Sequence, residues 1–188
     1  GIGTITYIDE DQNFAALGHG ITDADTGILM DISHGMVYQS NILSIVKGSR
    51  GTPGEIVGTI DYQKKNRIGT ITDNSSCGIF GTVERDYLAY DPEKAVPVAD
   101  PEEVTEGPVQ IVCTMNGETN HYTAEIRKID KNNKDYKNFV LQITDEQLLE
   151  ETNGILQGMS GSPVIQNGKL VGAVTHVFVN EPTKGYGI

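Results

Sequence analysis

Long apolar runs are missing from these 188 residues. No stretch approaches the roughly 18 consecutive apolar residues that a membrane-spanning helix needs. No secretory leader is visible either, and the chain opens on Gly1-Ile2-Gly3 without a Met. It reads as an excised or processed piece, so the missing leader carries no information about the full-length product. Basic side chains are scarce: 14 Lys and Arg stand against 26 Asp and Glu, for a net charge of −12. Nucleic-acid phosphates would be repelled, and anionic membrane surfaces are disfavoured as partners. There are only two cysteines, Cys77 and Cys113, with no metal-ligand spacing. Neither a metal nor a cofactor is expected. A disulfide between the two is open on sequence grounds, and both read as small apolar residues of strands. Internal repeats and low-complexity segments are absent as well. The length fits one domain or two small lobes, enough to bury a core without staples.

What the sequence does contain is a series of short apolar or β-branched runs separated by Gly, Asn and Asp. In the first half these are Thr4–Ile8, Phe14–Leu17, Ile42–Val46, Ile56–Ile60, Ile68–Thr72 and Ile79–Val83. In the second half they are Val109–Thr114, Tyr122–Ile129, Phe139–Ile143, Val164–Gln166 and Leu170–Val179. Such spacing, with 22 glycines, predicts an all-β barrel or sandwich. Asn116-Gly117 and Asn167-Gly168 each lie between two runs and favour type I′ hairpin turns. From about 84 to 108 the composition changes. Four of the seven prolines (Pro92, Pro97, Pro101, Pro108) fall there with eight acidic residues. Proline cannot donate to a sheet ladder and this charge density cannot be buried. The stretch reads as a connection between a first β lobe (1–83) and a second (109–188). One helix is expected near Asp145–Thr152, with Thr144 and Gln147 as a capping box and Gly154 close to its end.

The chemistry concentrates in Gly158-Met159-Ser160-Gly161-Ser162-Pro163, followed by the Asn167-Gly168 turn and Leu170–Val174. Glycines at 158 and 161 let the backbone turn tightly and approach a ligand. The N–H groups of Gly158 and Ser160 could converge on a carbonyl oxygen, an arrangement that stabilises a transition state by about 3–4 kcal/mol per key donor. This loop and its returning hairpin resemble the nucleophile loop of chymotrypsin-like serine peptidases. An α/β-hydrolase esterase is disfavoured, since a helix rather than a hairpin should follow its serine. A serine hydroxyl needs a base near neutral pH. Of four histidines, His121 lies in a strand-like run and His34 in a polar turn. His19 directly follows a buried-looking strand, is flanked by glycines, and belongs to the other lobe, so a cleft between lobes could join it to Ser160. His176 falls on the strand after the hairpin, where it could influence the substrate residue before the scissile bond. Asp31, Asp61, Asp73 and Asp145 all lie between His19 and Ser160. Spacing alone favours Asp61 or Asp73 as the orienting carboxylate.

Much of the chain resembles the peptidase domain of the SpoIVB (stage IV sporulation protein B) family. The matching pieces are Gly1-Ile2-Gly3-Thr4, Ala16-Leu17-Gly18-His19, Pro53-Gly54-Glu55, Gly78-Ile79-Phe80-Gly81-Thr82, Gln157–Pro163 and Gly172–Asn180, with Pro182-Thr183 and Gly185-Tyr186-Gly187. The resemblance implies an all-β, two-lobed, double-barrel serine endopeptidase with one short helix. It implies His19 as base, Ser160 as nucleophile and Asp145 as third member, which outweighs the spacing argument for Asp61 or Asp73. It further implies an upstream PDZ domain and membrane anchor, with action in the extracytoplasmic space between mother cell and forespore. The expected substrates are the protein itself and a regulator of a membrane protease. The family domain would run somewhat past Ile188. The alternative is a catalytically silent β-barrel scaffold of the same family.

Overall fold

The computed structural model describes residues 1–84, 87 and 91–188. Its strands in the first half are β1 (Ile5–Ile8), β2 (Asn13–Ala16), β3 (Gly35–Tyr38), β4 (Ser40–Val46), β5 (Glu55–Ile60), β6 (Arg67–Ser75) and β7 (Gly78–Val83). The second half holds β8 (Gly107–Met115), β9 (Glu118–Ile129), β10 (Phe139–Ile143), helix α1 (Glu146–Thr152), β11 (Pro163–Gln166), β12 (Lys169–Val177) and β13 (Lys184–Gly187). The protein is all-β and of chymotrypsin-like type, with one short α-helix among the described residues.

The second half closes into a six-stranded barrel in the order β10-β13-β12-β11-β8-β9. Period-two burial explains the closure: Val109, Ile111, Cys113 and Met115 of β8 point inward, as do Tyr122, Ala124 and Ile126 of β9 and Phe139, Leu141 and Ile143 of β10. The first half is arranged differently from a second closed barrel. It is an open five-stranded sheet, β1-β2-β7-β6-β3, beside a separate β4-β5 ribbon. Phe14, Ala16, Ile68, Ile71, Ile79 and Val83 form its core. The ribbon serves the barrel instead, because Ile56 of β5 is buried in the barrel-side core with Ile42 and Ile45 packed against it.

Both Asn-Gly turns take the expected form, with φ of 53° and 77° at Asn116 and Gly117 and 52° and 76° at Asn167 and Gly168. Residues 85, 86 and 88–90 of the expected connection lie outside the described residues. The rest carries two 3-10 turns, Pro92–Lys94 and Pro101–Glu103. It docks on the barrel where the Leu170 N–H donates to the Pro97 carbonyl at 2.9 Å.

Three local expectations need correction. The helix cap is Asp145, whose carboxylate accepts the Leu148 N–H at 3.1 Å. A carboxylate is the stronger acceptor at that site, and the Thr144 hydroxyl donates to that of Thr123 instead. Asn153, left-handed at φ 59°, ends the helix ahead of Gly154. The cysteines are free: Cys113 is buried in β8, but Cys77 sits on the β6–β7 turn rather than in a strand. Finally, the run 170–179 ends as a strand at Val177, and β13 lies in a Gly-rich stretch where the sequence pattern predicts no strand. Its glycines are there for close packing, since a Cβ at Gly185 would meet the His176 carbonyl oxygen at 2.3 Å.

Candidate active site

Ser160 stands in the turn that leads into β11. Its loop owes its shape to Gly158 at φ +106° and Gly161 at φ +94°, conformations that L-residues rarely adopt. The backbone donors along the loop divide in two. Those of Gln157, Met159, Gly161 and Ser162 donate to Gly54, Leu156, Val174 and Met159 carbonyls at 2.8, 3.1, 2.7 and 2.9 Å. Those of Gly158 and Ser160 donate to no protein acceptor among the described residues. Both residues line the same cleft, of about 1250 Å³, that lies between the sheet and the barrel.

The loop is braced from the first half of the chain. The Thr4 N–H donates to the Ser160 carbonyl at 2.9 Å, and the Leu17 N–H to the Thr4 carbonyl at 3.2 Å. The Thr6 hydroxyl donates to the Gly161 carbonyl at 2.7 Å. From the ribbon, the Ile56 N–H donates to the Gln157 carbonyl at 2.9 Å. The barrel supplies one more contact: the Ser160 hydroxyl donates to the Thr175 carbonyl at 3.0 Å.

His19 reaches the cleft because the chain leaves β2 through two left-handed residues, Leu17 at φ 69° and Gly18 at φ 70°. The ring is half-buried, and its Nδ1 lies 2.9 Å from the Gly20 carbonyl oxygen. A carbonyl only accepts, so Nδ1 carries the proton and the neutral ring presents Nε2 as a base. The His176 ring lies beside it, with centroids 5.2 Å apart and planes tilted by 36°. Burial, and then the nearby His19 and Lys137 charges, hold the His176 pKa below the ordinary imidazole value.

The structure therefore brings Ser160, Gly158, His19 and His176 to one cleft. The remaining candidates stand elsewhere. His34 is exposed on a bend and His121 is exposed on β9, against Gln110. Asp61 and Asp73 are exposed and do not line the cleft. Asp145 does not line it either. One of its oxygens caps α1 and the other accepts the Thr123 N–H at 3.0 Å, so no bond joins it to His19. The group that holds the His19 tautomer here is the Gly20 carbonyl. Sequence reasoning missed it, as it missed Thr175, because a main-chain acceptor leaves no mark on residue type. It also missed Asp135 and Lys137, which the β9–β10 loop carries to the cleft wall.

Comparison with known proteins adds one result. The family model described as SpoIVB peptidase S55 matches residues 1–188, the full length of the chain. No curated protein matches it.

Proposed function

Because the chain belongs to the SpoIVB peptidase family and is a serine peptidase domain of that type, we propose that it hydrolyses peptide bonds with Ser160 as nucleophile and His19 as general base. The observation that carries the mechanism is the pair of unpartnered N–H groups at Gly158 and Ser160, flanked by partnered neighbours on a loop braced from both halves of the chain.

In this reading the scissile carbonyl oxygen lies at those two N–H groups. The Ser160 side chain rotates from the Thr175 carbonyl toward Nε2 of His19, gives up its proton there, and its Oγ attacks the carbonyl carbon. The developing oxyanion is held by the two donors, a contribution on the order of 3 kcal/mol. His19 then passes the proton to the leaving amine, and water repeats the sequence to release the acyl group. The Gly20 carbonyl supports the ring in its productive tautomer throughout. Asp145, the third member implied by family resemblance, would in this arrangement act through the fold, by capping α1 and tying it to β9.

The family's sporulation role leads us to extend the proposal to the substrates. They would be the protein itself and a regulator of a membrane protease, cut in the extracytoplasmic space between mother cell and forespore. A PDZ domain upstream would present them. One observation favours the second reading, a silent scaffold: the Ser160 hydroxyl is bonded to Thr175 rather than to His19. A fluorophosphonate probe separates the two. The peptidase reading expects covalent labelling at Ser160, its loss in Ser160→Ala, and a decrease of orders of magnitude in His19→Ala. Peptide turnover should fall in parallel, with the double variant little worse than either single one. An unlabelled, folded wild-type protein would support the scaffold.

A further inference from the structure

The cleft shares Lys137, His176, Val177 and Val179 with a recess of about 500 Å³, whose walls are the end of β12, the turn after it, Lys137 and Tyr186. Lys137 is the only Lys or Arg among the described residues that line either the cleft or the recess. It is half-buried, yet it makes no salt bridge among the described residues, in a chain of net charge −12. Its place is built. The Asn133 side-chain oxygen accepts the N–H groups of both Asp135 and Lys137, at 3.0 and 3.2 Å. The loop is closed by the Asp130 N–H donating to the Asn138 carbonyl at 2.7 Å. The ammonium lies 5.1 Å from the centre of the Tyr186 ring, close enough for a cation–π attraction. His176 forms the adjoining wall.

Two carboxylates stand nearby and neither neutralises the recess. Glu181, on its wall, is paired with Lys184 at 3.4 Å. Asp135 is exposed and lines the main cleft but not the recess.

We propose that this recess receives the side chain of the substrate residue on the acyl side of the scissile bond, and that Lys137 with His176 selects an acidic side chain there. The inference rests on the peptidase reading. If the scissile carbonyl is held by the Gly158 and Ser160 N–H groups, the residue that carries it lies against Ser160. The Ser160 hydroxyl itself touches Thr175, so the next residues of β12, His176 and Val177, are the wall that this side chain meets. A carboxylate placed there finds an ammonium with no competing ion pair and an imidazole able to donate a hydrogen bond. A charge-assisted hydrogen bond of this kind is worth at least a factor of about ten in selection over a neutral isostere.

The test compares kcat/KM for matched peptides carrying Glu, Gln or Lys before the scissile bond, with fluorophosphonate labelling of Ser160 on the same preparation. Wild type is expected to favour Glu over Gln by tenfold or more. Lys137→Met should bring that ratio close to one, Lys137→Arg should keep it above one, and Lys137→Glu should reverse it and favour Lys. His176→Phe should reduce the ratio in part. A labelled wild-type enzyme with a Glu-to-Gln ratio near one, or a ratio that survives Lys137→Met, would overturn the proposal while leaving the peptidase reading intact. Absence of Ser160 labelling would overturn that reading, and this inference with it.

Discussion

Alanine at the two glycines of the Ser160 loop should produce opposite kinds of damage. A Cβ at Gly158 would meet Ile56 side-chain atoms, the nearest at 3.1 Å. The neighbour needs to yield by only a few tenths of an ångström, so the main cost is backbone strain at φ +106°, about 1–3 kcal/mol. For a chain of this length that lowers Tm by roughly 2–12 °C. Relief of the strain turns the Gly158 N–H away from the cleft, and loss of one such donor reduces kcat by about 10²–10³-fold. A Cβ at Gly161 would meet the Thr4 carbonyl oxygen at 2.2 Å, the Leu17 nitrogen at 2.5 Å and the Leu17 Cα at 3.0 Å. All three are backbone atoms, which cannot rotate aside. The N-terminal segment must retreat, and the Thr4–Ser160, Leu17–Thr4 and Thr6–Gly161 hydrogen bonds go with it. At about 0.5–1.5 kcal/mol each, together with the strain, the loss is roughly 3–7 kcal/mol, a large part of a typical domain's stability. Thermal unfolding by circular dichroism and peptide turnover measured on both variants make the comparison. Gly158→Ala should fold and turn over slowly; Gly161→Ala should melt far lower or fail to fold. A Gly161→Ala protein melting within a few degrees of wild type, or Gly158→Ala with unchanged kcat, would refute the reasoning.

Two further outcomes follow from the described contacts. Asp145→Asn keeps an acceptor for the helix cap but turns an amide donor toward the Thr123 N–H, so it should lose about 0.5–1.5 kcal/mol of stability while changing turnover little, whereas Asp145→Ala should show a further loss of about 0.5–2 kcal/mol from the cap; a collapse of turnover in well-folded Asp145→Asn would restore the carboxylate as the orienter of His19. In the native protein a thiol reagent at pH 8 should modify Cys77 and spare Cys113, whose pKa burial pushes up to about 11, and both should react in denaturant; two fast-reacting native thiols would contradict the barrel interior assigned to Cys113.

The strands of the second half were legible as short apolar runs bounded by turn residues, and the Asn-Gly pairs announce the hairpins. Closure was not: the runs fit a barrel or a sandwich, and the one-sided burial that decides between them emerges only in the fold. The open first sheet was less legible, since β3 (Gly35–Tyr38) is mostly intermediate in burial and lacks a clear period. Residue type and local glycines pointed to Ser160 and His19, and the fold sets both on one cleft. They could not point to the tautomer-holding group, because Gly20 acts through its carbonyl. Asp145 shows the complementary difficulty: one carboxylate near a helix start fits both a catalytic and a capping role, and only its bonds to Leu148 and Thr123 say which it performs in this conformation. Lys137 was invisible for a third reason. Nothing in Asn133–Asn138 distinguishes it from any polar loop until the fold sets it against Tyr186.

The bracing of Ser160 by the first strand has a consequence for the order of events in folding. The Thr6–Gly161 bond joins residues 155 positions apart, and contacts of such long range form only after the intervening chain has been brought together, because closure entropy precedes their reward. Barrel hairpins such as β8–β9 and β11–β12 are local and can assemble early. The loop that carries Ser160 takes its final shape only when residues 4–6 arrive. A nascent or partly unfolded chain therefore holds its serine in an unbraced turn, without the two aligned donors, and under the proposed mechanism would be a poor peptidase toward its neighbours until the first and last quarters of the sequence have met.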